Sequence, residues 1–322
     1  MQRFPIRFAT FLTLLFLLVL PVSAARLLIP GGQVIGIHLY DGTVSVAAID
    51  ETLGSASKKA GLAAGDRIVA IDGKQVRKSE DVRAALRQSD GTVDVSILRC
   101  GQSKKLHICP TATADGPKLG VYLKEGTTGI GTVTYQEPGS GSFGALGHGV
   151  NDPEGNCLRM ESGRIYSAAV ASVKKGTAGT PGQLMGSIAA PEALGTLSKN
   201  LRCGIYGTGT LDKTAAPLPA ATKEEIKTGP ATIRSTVSGT DTREYSVEIV
   251  KIYASGQQTG RNMLIRVTDP ALLEATGGIV QGMSGSPIIQ NGKLIGAVTH
   301  VLVNDPTTGY GIFIENMLDA AA

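Results

Sequence analysis

The sequence predicts a mostly β chain of two domains, the second of them a double β-barrel. Three observations carry this. The 322 residues suit two domains with an ample core in each. Glycine supplies 42 of them, about twice its usual share of ~7%, and it punctuates short β-branched runs, the pattern of strands and tight turns. There is no Trp and only eight Tyr and six Phe, so Val, Ile, Leu and Ala must fill the cores. About two hundred residues of such short strands fit two barrels better than a sandwich.

The elements begin with a targeting segment, residues 1–25. Arg3 and Arg7 precede an apolar run from Phe8 to Leu20, and Pro21-Val22-Ser23-Ala24-Ala25 supplies small residues for a signal peptidase. The run is shorter than the ~20 residues of a comfortable membrane span. It reads as a cleaved signal peptide or an N-terminal anchor at the membrane surface, and in either form the working domains are exported. Cys100 and Cys109 flank a hairpin loop. If Cys100 pairs near Lys105, the two lie about 13 Å apart along the ladder, beyond the ~7 Å a disulfide spans, so both are expected as free thiols. The sequence has no CxxC or HExxH spacing, so neither metal nor cofactor is expected. The net charge of +4 is spread along the chain without a basic, aromatic-laced cluster, which argues against nucleic-acid binding.

Residues 26–110 read as one compact unit. Val34-Ile35-Gly36-Ile37-His38-Leu39 is a strand entered from the turn Pro30-Gly31-Gly32, and Val44 to Ile49 is a second. Ala60-Gly61-Leu62-Ala63-Ala64-Gly65-Asp66-Arg67-Ile68-Val69-Ala70-Ile71-Asp72-Gly73-Lys74 is a turn, a strand and another turn. Ser79 suits a helix N-cap, Glu80 and Asp81 suit the first turn, and Val82, Ala85 and Leu86 form one helical face. Strands from Val93 to Cys100 and Lys105 to Cys109 close the unit. This pattern resembles a PDZ domain. The resemblance implies a glycine-rich loop and strand that accept an extended or C-terminal peptide beside the helix. By position, Gly36, Ile37, His38 and Leu39 would be the loop and binding strand, and Val82 and Leu86 would line the groove.

A polar linker, 111–117, leads to the second domain, 118–322. Strands are expected at Gly131–Tyr135, Ser167–Val170, Thr232–Arg234, Glu244–Tyr253 and across Lys293–Ile314, with the low-complexity stretch from Thr214 to Ala221 crossing between two halves. Near its end stands Gly282-Met283-Ser284-Gly285-Ser286-Pro287. The glycines allow a sharp turn and a close approach of backbone to substrate, so the N–H groups of Gly282 and Ser284 can converge on an oxyanion. A serine nucleophile needs a base. His148, set between Gly147 and Gly149, is the best placed of four histidines. His107 belongs to the hairpin of the first unit, and His300 reads as a half-buried strand residue. For a carboxylate to orient the base there are two candidates. Asp269 ends an apolar strand fifteen residues before the serine, and Asp152 also suits a turn in Asn151-Asp152-Pro153.

The whole arrangement resembles the stage IV sporulation protein B (SpoIVB) peptidase family. The resemblance rests on Leu28-Ile29-Pro30-Gly31-Gly32, the single PDZ-like unit, Gly144-Ala145-Leu146-Gly147-His148-Gly149, and the run from Gly282 through Gly292-Lys293 to Gly309-Tyr310-Gly311-Ile312-Phe313-Ile314-Glu315-Asn316. It implies a serine endopeptidase of chymotrypsin-like fold, with the catalytic roles on His148, Asp269 and Ser284. It implies export into the forespore intermembrane space or cell envelope. There the family cleaves a membrane-associated regulator, SpoIVFA, and so frees an intramembrane protease to process the precursor of sigma-K during spore formation. Self-cleavage is implied as well, although this chain has little sequence between its export segment and the PDZ-like unit. Met283 stands where a trypsin-type enzyme carries Asp, so activation by a newly formed N-terminus is not expected. Two other functions compete. A non-enzymatic PDZ scaffold would bind peptides without turnover or labelling of Ser284. A general quality-control protease of the HtrA type would usually carry its PDZ unit after the protease domain.

Overall fold

Two sixteen-residue strands organise the molecule. The computed structural model describes residues 26–152, 155–211, 215–253 and 260–322; the expected export segment lies outside them. A short β1 (Leu27–Pro30) leads into β2 (Val34–Ile49), and β2 runs antiparallel to a later strand, Val121–Gln136, over almost its whole length. Val34 pairs with Thr132, Leu39 with Thr127, Val44 with Glu125 and Ile49 with Val121. Between Leu39 and Val44 the register breaks, so that Tyr40, Asp41, Gly42 and Thr43 bulge opposite Gly126 alone. Gly126 has φ +63°, and a Cβ there would overlap the carbonyl of Leu39. Only glycine fits this waist.

On one side of the waist lies the PDZ unit: α1 (Ser55–Lys59), β3 (Arg67–Ile71), β4 (Lys74–Gln75), α2 (Ser79–Arg87), β5 (Val93–Arg99) and β6 (Gln102–Ile108). The expected helical face is buried, with Val82, Ala85 and Leu86 packed among Val44, Val46, Ile68, Ile71, Val95 and Ile97. The carboxylate of Asp81 accepts the N–H groups of Arg77 and Lys78, closing the first turn of α2. All four cysteines are free thiols, with Cys100 in the β5–β6 turn and Cys109 just past the far end of β6.

The boundary expected at residue 110 is not where the chain divides. The first half of β2 pairs with the second half of Val121–Gln136, here β7, and with β9 (Ser162–Lys174); only its second half, Val44–Ile49, belongs to the PDZ unit. The expected linker is a turn closed by the Thr111–Lys118 bridge, and residues 118–125 complete the PDZ unit. The PDZ unit is thus inserted into the peptidase, with β2 and β7 running through both. Period-two patterning marks both halves of β2 as strand but carries no sign of which sheet each half joins.

On the other side of the waist, β2 and β7 join β8 (Ser142–Ala145), β9, β10 (Gln183–Leu201) and β11 (Gly204–Gly209). Antiparallel pairings run β2–β7–β8–β11–β10–β9 and back to β2, which closes a six-strand ring. After β12 (Leu218–Pro219), which pairs with β1, a second closed barrel follows. It comprises β13 (Gly229–Thr236), β14 (Thr242–Ile252), β15 (Met263–Val267), β16 (Pro287–Gln290), β17 (Lys293–Leu302) and β18 (Asp305–Phe313), with α3 (Pro270–Thr276) between β15 and β16. This is the expected double β-barrel of chymotrypsin-like type. Inward-facing Ile233, Val247, Ile265, Ile288 and Val298 fill the second barrel. The C-terminal α4 (Ile314–Ala321) buries Ile314 and Met317 against Leu28, Tyr135 and Leu294, clasping the two barrels together. Each such side chain contributes roughly 1.5–3 kcal/mol relative to exposure. Among the described residues no helix is long and apolar enough to cross a membrane.

Candidate active site

Ser284 sits in a loop whose shape is set by two left-handed glycines, Gly282 at φ +100° and Gly285 at φ +99°. The loop is pinned on both sides. Within the second barrel, Met283 is fully buried in the core, Gly285 donates to the carbonyl of Val298 at 2.8 Å, and the hydroxyls of Ser286 and Ser235 bond at 3.0 Å. From the first barrel, β7 reaches across. Thr132 donates its N–H to the carbonyl of Ser284 at 3.1 Å and its hydroxyl to the carbonyl of Gly282 at 2.8 Å, while the Thr134 hydroxyl donates to Gly285 at 2.8 Å. A Cβ on Gly285 would overlap the carbonyl of Thr132. The glycine is what lets the two barrels touch here. Thr132 and Thr134 were not singled out from the sequence, although both are buried and alternate with a core valine in Thr132-Val133-Thr134, a pattern that points two hydroxyls at one neighbour.

The tight loop leaves two donors unused. Among the described residues, neither the Gly282 nor the Ser284 N–H donates to an acceptor, the arrangement an oxyanion hole requires.

His148 follows β8 on a bend made by Leu146 at φ +70° and Gly147 at φ +68°. A Cβ on Gly147 would press on Thr299 and Ile312 at 3.0 and 3.1 Å, so the bend lies directly on β17 and β18. This brings His148 to the same junction as Ser284. Its Nδ1 bonds the carbonyl oxygen of Gly149 at 2.8 Å. A carbonyl can only accept, so Nδ1 carries the proton and Nε2 is the basic nitrogen. Burial pushes the pKa of His148 below the usual histidine range, opposed by the Gly149 bond. The Ser284 hydroxyl donates to the carbonyl of Thr299 at 2.8 Å, and His300, the next residue, places its ring 5.2 Å from that of His148.

The carboxylates lie elsewhere. Asp269 is the N-cap of α3: its side chain accepts the N–H of Leu272 at 3.0 Å and that of Ser246 at 3.3 Å. Leu264, which pairs with Tyr310 at the level of His300, precedes it by five residues. The Asp269 carboxylate is taken up at the start of α3 and makes no bond to His148 among the described residues. The expectation that Asp269 orients His148 is corrected on this geometry: the carbonyl of Gly149 occupies Nδ1. Asp152 closes a turn, accepting the N–H of Asn156 at 2.8 Å. The fifteen-residue spacing to Ser284 includes a helix that the carboxylate begins, and a cap with that strong a local role is hard to tell from an orienter by sequence.

The peptide groove also differs from expectation. Gly36, Ile37, His38 and Leu39 are paired on both edges, by β7 and by β9, and have no free edge for an added strand; Nε2 of His38 bonds the carbonyl of Glu125 at 3.0 Å. A groove of about 590 Å³ lies instead between α2 and the first half of β7, lined by Val82, Leu86, Arg83, Gly120, Val121 and Tyr122 among others. Residues Val121–Leu123 pair with β2 on one edge only. Gly120, at φ +67°, turns the chain into that strand, where a Cβ would overlap the backbone of Leu53. Val82 and Leu86 stand on the α2 wall of this groove. The loop and strand are supplied by Leu119-Gly120-Val121-Tyr122-Leu123, a glycine ahead of alternating residues, just as Gly36 stands ahead of Ile37 to Leu39.

Comparison with known proteins places these features in a family. Two curated relatives are described as "Putative zinc metalloprotease Atu1380" of Agrobacterium fabrum (strain C58 / ATCC 33970), 41% identical over 87 residues, and "Putative zinc metalloprotease R01501" of Rhizobium meliloti (strain 1021), 34% identical over 141 residues. The matches cover 27% and 42% of this chain and span only 22% and 35% of those relatives. Among the described residues no group of three or more His, Cys, Asp or Glu gathers as a metal ligand set. Among solved structures, the active form of the Rv3671c protease from M. tuberculosis superposes with a TM-score of 0.36 at 16% identity, covering 60% of this chain and 72% of that one. Its inactive form gives a TM-score of 0.35 at 16% identity, with 59% and 81% covered. The PDZ domain profile matches residues 52–99. The profile of the SpoIVB peptidase S55 matches residues 116–318, well over half of the chain, and the chain therefore belongs to that family of serine peptidases.

Proposed function

We propose that this chain is an exported endopeptidase in which Ser284 is the nucleophile, His148 the general base, and the N–H groups of Gly282 and Ser284 the oxyanion hole. One observation carries the reading: a glycine-bent serine loop, with two N–H groups that donate to no acceptor among the described residues, and a half-buried histidine, basic at Nε2, both pack on the Thr299–His300 segment of β17. The serine first leaves the Thr299 carbonyl by rotation of its side chain. His148 Nε2 takes the hydroxyl proton as Oγ attacks the substrate carbonyl, and the two N–H groups hold the oxyanion. The imidazolium then gives its proton to the departing amine, and water repeats the sequence to release the acyl group. The carbonyl of Gly149 keeps the tautomer throughout.

The groove between α2 and β7 recruits extended or C-terminal segments of the substrate by strand addition. In line with the family, the substrate is a membrane-associated regulator of the SpoIVFA type, cleaved in the forespore intermembrane space so that a pro-sigma factor can be processed; the chain itself is a second substrate. The basic, apolar N-terminus from Arg3 to Leu20 directs export. The test is co-incubation of the full chain with the regulator's exported domain, for wild type and Ser284→Ala. Cleavage by the wild type alone supports the reading. Peptide binding by both without cleavage supports the scaffold function instead.

A further inference from the structure

His300 is a titratable group at the barrel junction that the proposed mechanism leaves unused. A bulge in β17 places it. Val298 pairs with Gly311 and His300 with Tyr310, so Thr299 is an extra residue in its strand. Bulges re-aim side chains beside active sites. This one turns the Thr299 carbonyl to the Ser284 hydroxyl and stacks the His300 ring on that of His148, centroids 5.2 Å apart and planes tilted by 36°. Of the two nitrogens of His300, Nδ1 is buried without a partner among the described residues. An orphaned buried N–H is rarer than an under-used acceptor, so the proton belongs on Nε2 and Nδ1 is a lone pair. The ring that carries it lies beside an imidazole that bonds no carboxylate among the described residues.

We propose that His300 is the positioning residue of this active site, its ring fixing His148 toward the serine loop and its buried Nδ1 supplying the acceptor dipole that steadies the imidazolium. The proton moves from Ser284 Oγ to His148 Nε2 and on to the leaving amine; His300 neither takes nor gives it. Among the described residues, the titratable and charged groups around His300 are His148, Tyr310 opposite on β18, and Arg261, whose guanidinium lies over the Tyr310 ring at 5.1 Å. Burial first, then His148 and Arg261, hold the pKa of His300 down to about 4, so its ring stays neutral while His148 works.

The inference rests on His148 as the base, and one set of variants of the full chain separates the two. His148→Ala tests the base, and His300→Phe keeps a ring while removing both nitrogens. His300→Gln restores an acceptor. The readouts are kcat and KM for a cleavable peptide, the rate of fluorophosphonate labelling from pH 4 to 8, and the melting temperature. The expected result for His300→Phe is a kcat lower by roughly 10–100-fold with KM little changed. Its acid limb moves to lower pH, because losing the acceptor weakens the protonated form of His148, and His300→Gln recovers part of both. Wild-type kcat and acid limb in His300→Phe overturn the inference while leaving the base intact; undiminished labelling of His148→Ala overturns the base itself. If His300→Phe does not fold, the 15N spectrum of the wild type decides. At pH 6 Nδ1 of His300 should resonate as an unprotonated nitrogen, and a protonated Nδ1 refutes the proposal.

Discussion

The backbone N–H of Thr132 donates to the carbonyl of Ser284 at 3.1 Å, and this bond ties the strand that leaves the PDZ unit to the loop that carries Ser284. β7 runs without interruption from the groove at Val121 to the buried Thr132 and Thr134. One strand therefore lines the groove beside α2 at one end and holds the serine loop at the other.

Replacing Thr132 by Val tests that tie at nearly constant volume. The variant leaves the half-buried Gly282 carbonyl without its hydroxyl donor, a loss of about 1 kcal/mol. Urea unfolding should show a lower midpoint with an unchanged slope. Labelling of Ser284 should slow beyond what the small unfolded fraction explains, since the proposed oxyanion hole draws one of its two donors from Gly282. An unchanged labelling rate would show that the loop holds its shape without β7.

The structure makes Asp269 a helix cap, so Asp269→Ala should lower stability by about 1 kcal/mol and leave the labelling rate at Ser284 within a few-fold of wild type. Asp152→Ala should do less, because the turn it closes is partly exposed. A loss of activity of about 10⁴-fold in Asp269→Ala, the scale expected when a triad carboxylate is removed, would return that residue to the role its spacing first suggested.

Acid should weaken the fold before it protonates the strand carboxylates. His148 and His300 both have pKa values below the ordinary histidine value of 6.5, with burial the largest cause in each. In that window the unfolded chain binds more protons than the folded one, so stability rises with pH and falls on acidification. The decline should begin near pH 6.5 and continue towards pH 4, the position of His300. Melting temperatures measured across pH 4–8 check this. A double variant, His148→Gln with His300→Gln, should flatten the curve between those limits.

The groove assignment is checked by hydrogen exchange. A bound extended peptide should protect the amides of Val121 to Leu123, whose second edge is open, and leave Gly36 to Leu39 as they were, since those are already paired on both sides. Protection confined to Gly36–Leu39 would reverse the assignment.

What was legible in the sequence was local. Gly282-Met283-Ser284-Gly285 announces a sharp turn, and Gly147-His148-Gly149 a histidine on bent backbone; each is a short motif whose glycines leave a direct mark. Alternation likewise announced the strands and the helix with Val82 and Leu86. What could not be read was long-range. β2 looks like two ordinary strands of one unit, and only its partners reveal that Val34–Leu39 belongs to a barrel whose other wall begins more than eighty residues later. The fifteen-residue spacing points Asp269 at Ser284, but its carboxylate has a nearer use in capping α3. His300 was read correctly as a half-buried strand residue, but a one-residue bulge at Thr299 decides which way it faces, and no residue pattern marks that bulge.

The most direct measurement of the central claim is fluorophosphonate labelling of the purified full chain, with the modified residue located by peptide mass spectrometry. The account predicts one label, on Ser284, lost in Ser284→Ala and slowed by orders of magnitude in His148→Ala. A label on another serine, or a folded protein with peptide bound in the α2–β7 groove that takes up no label, would contradict it.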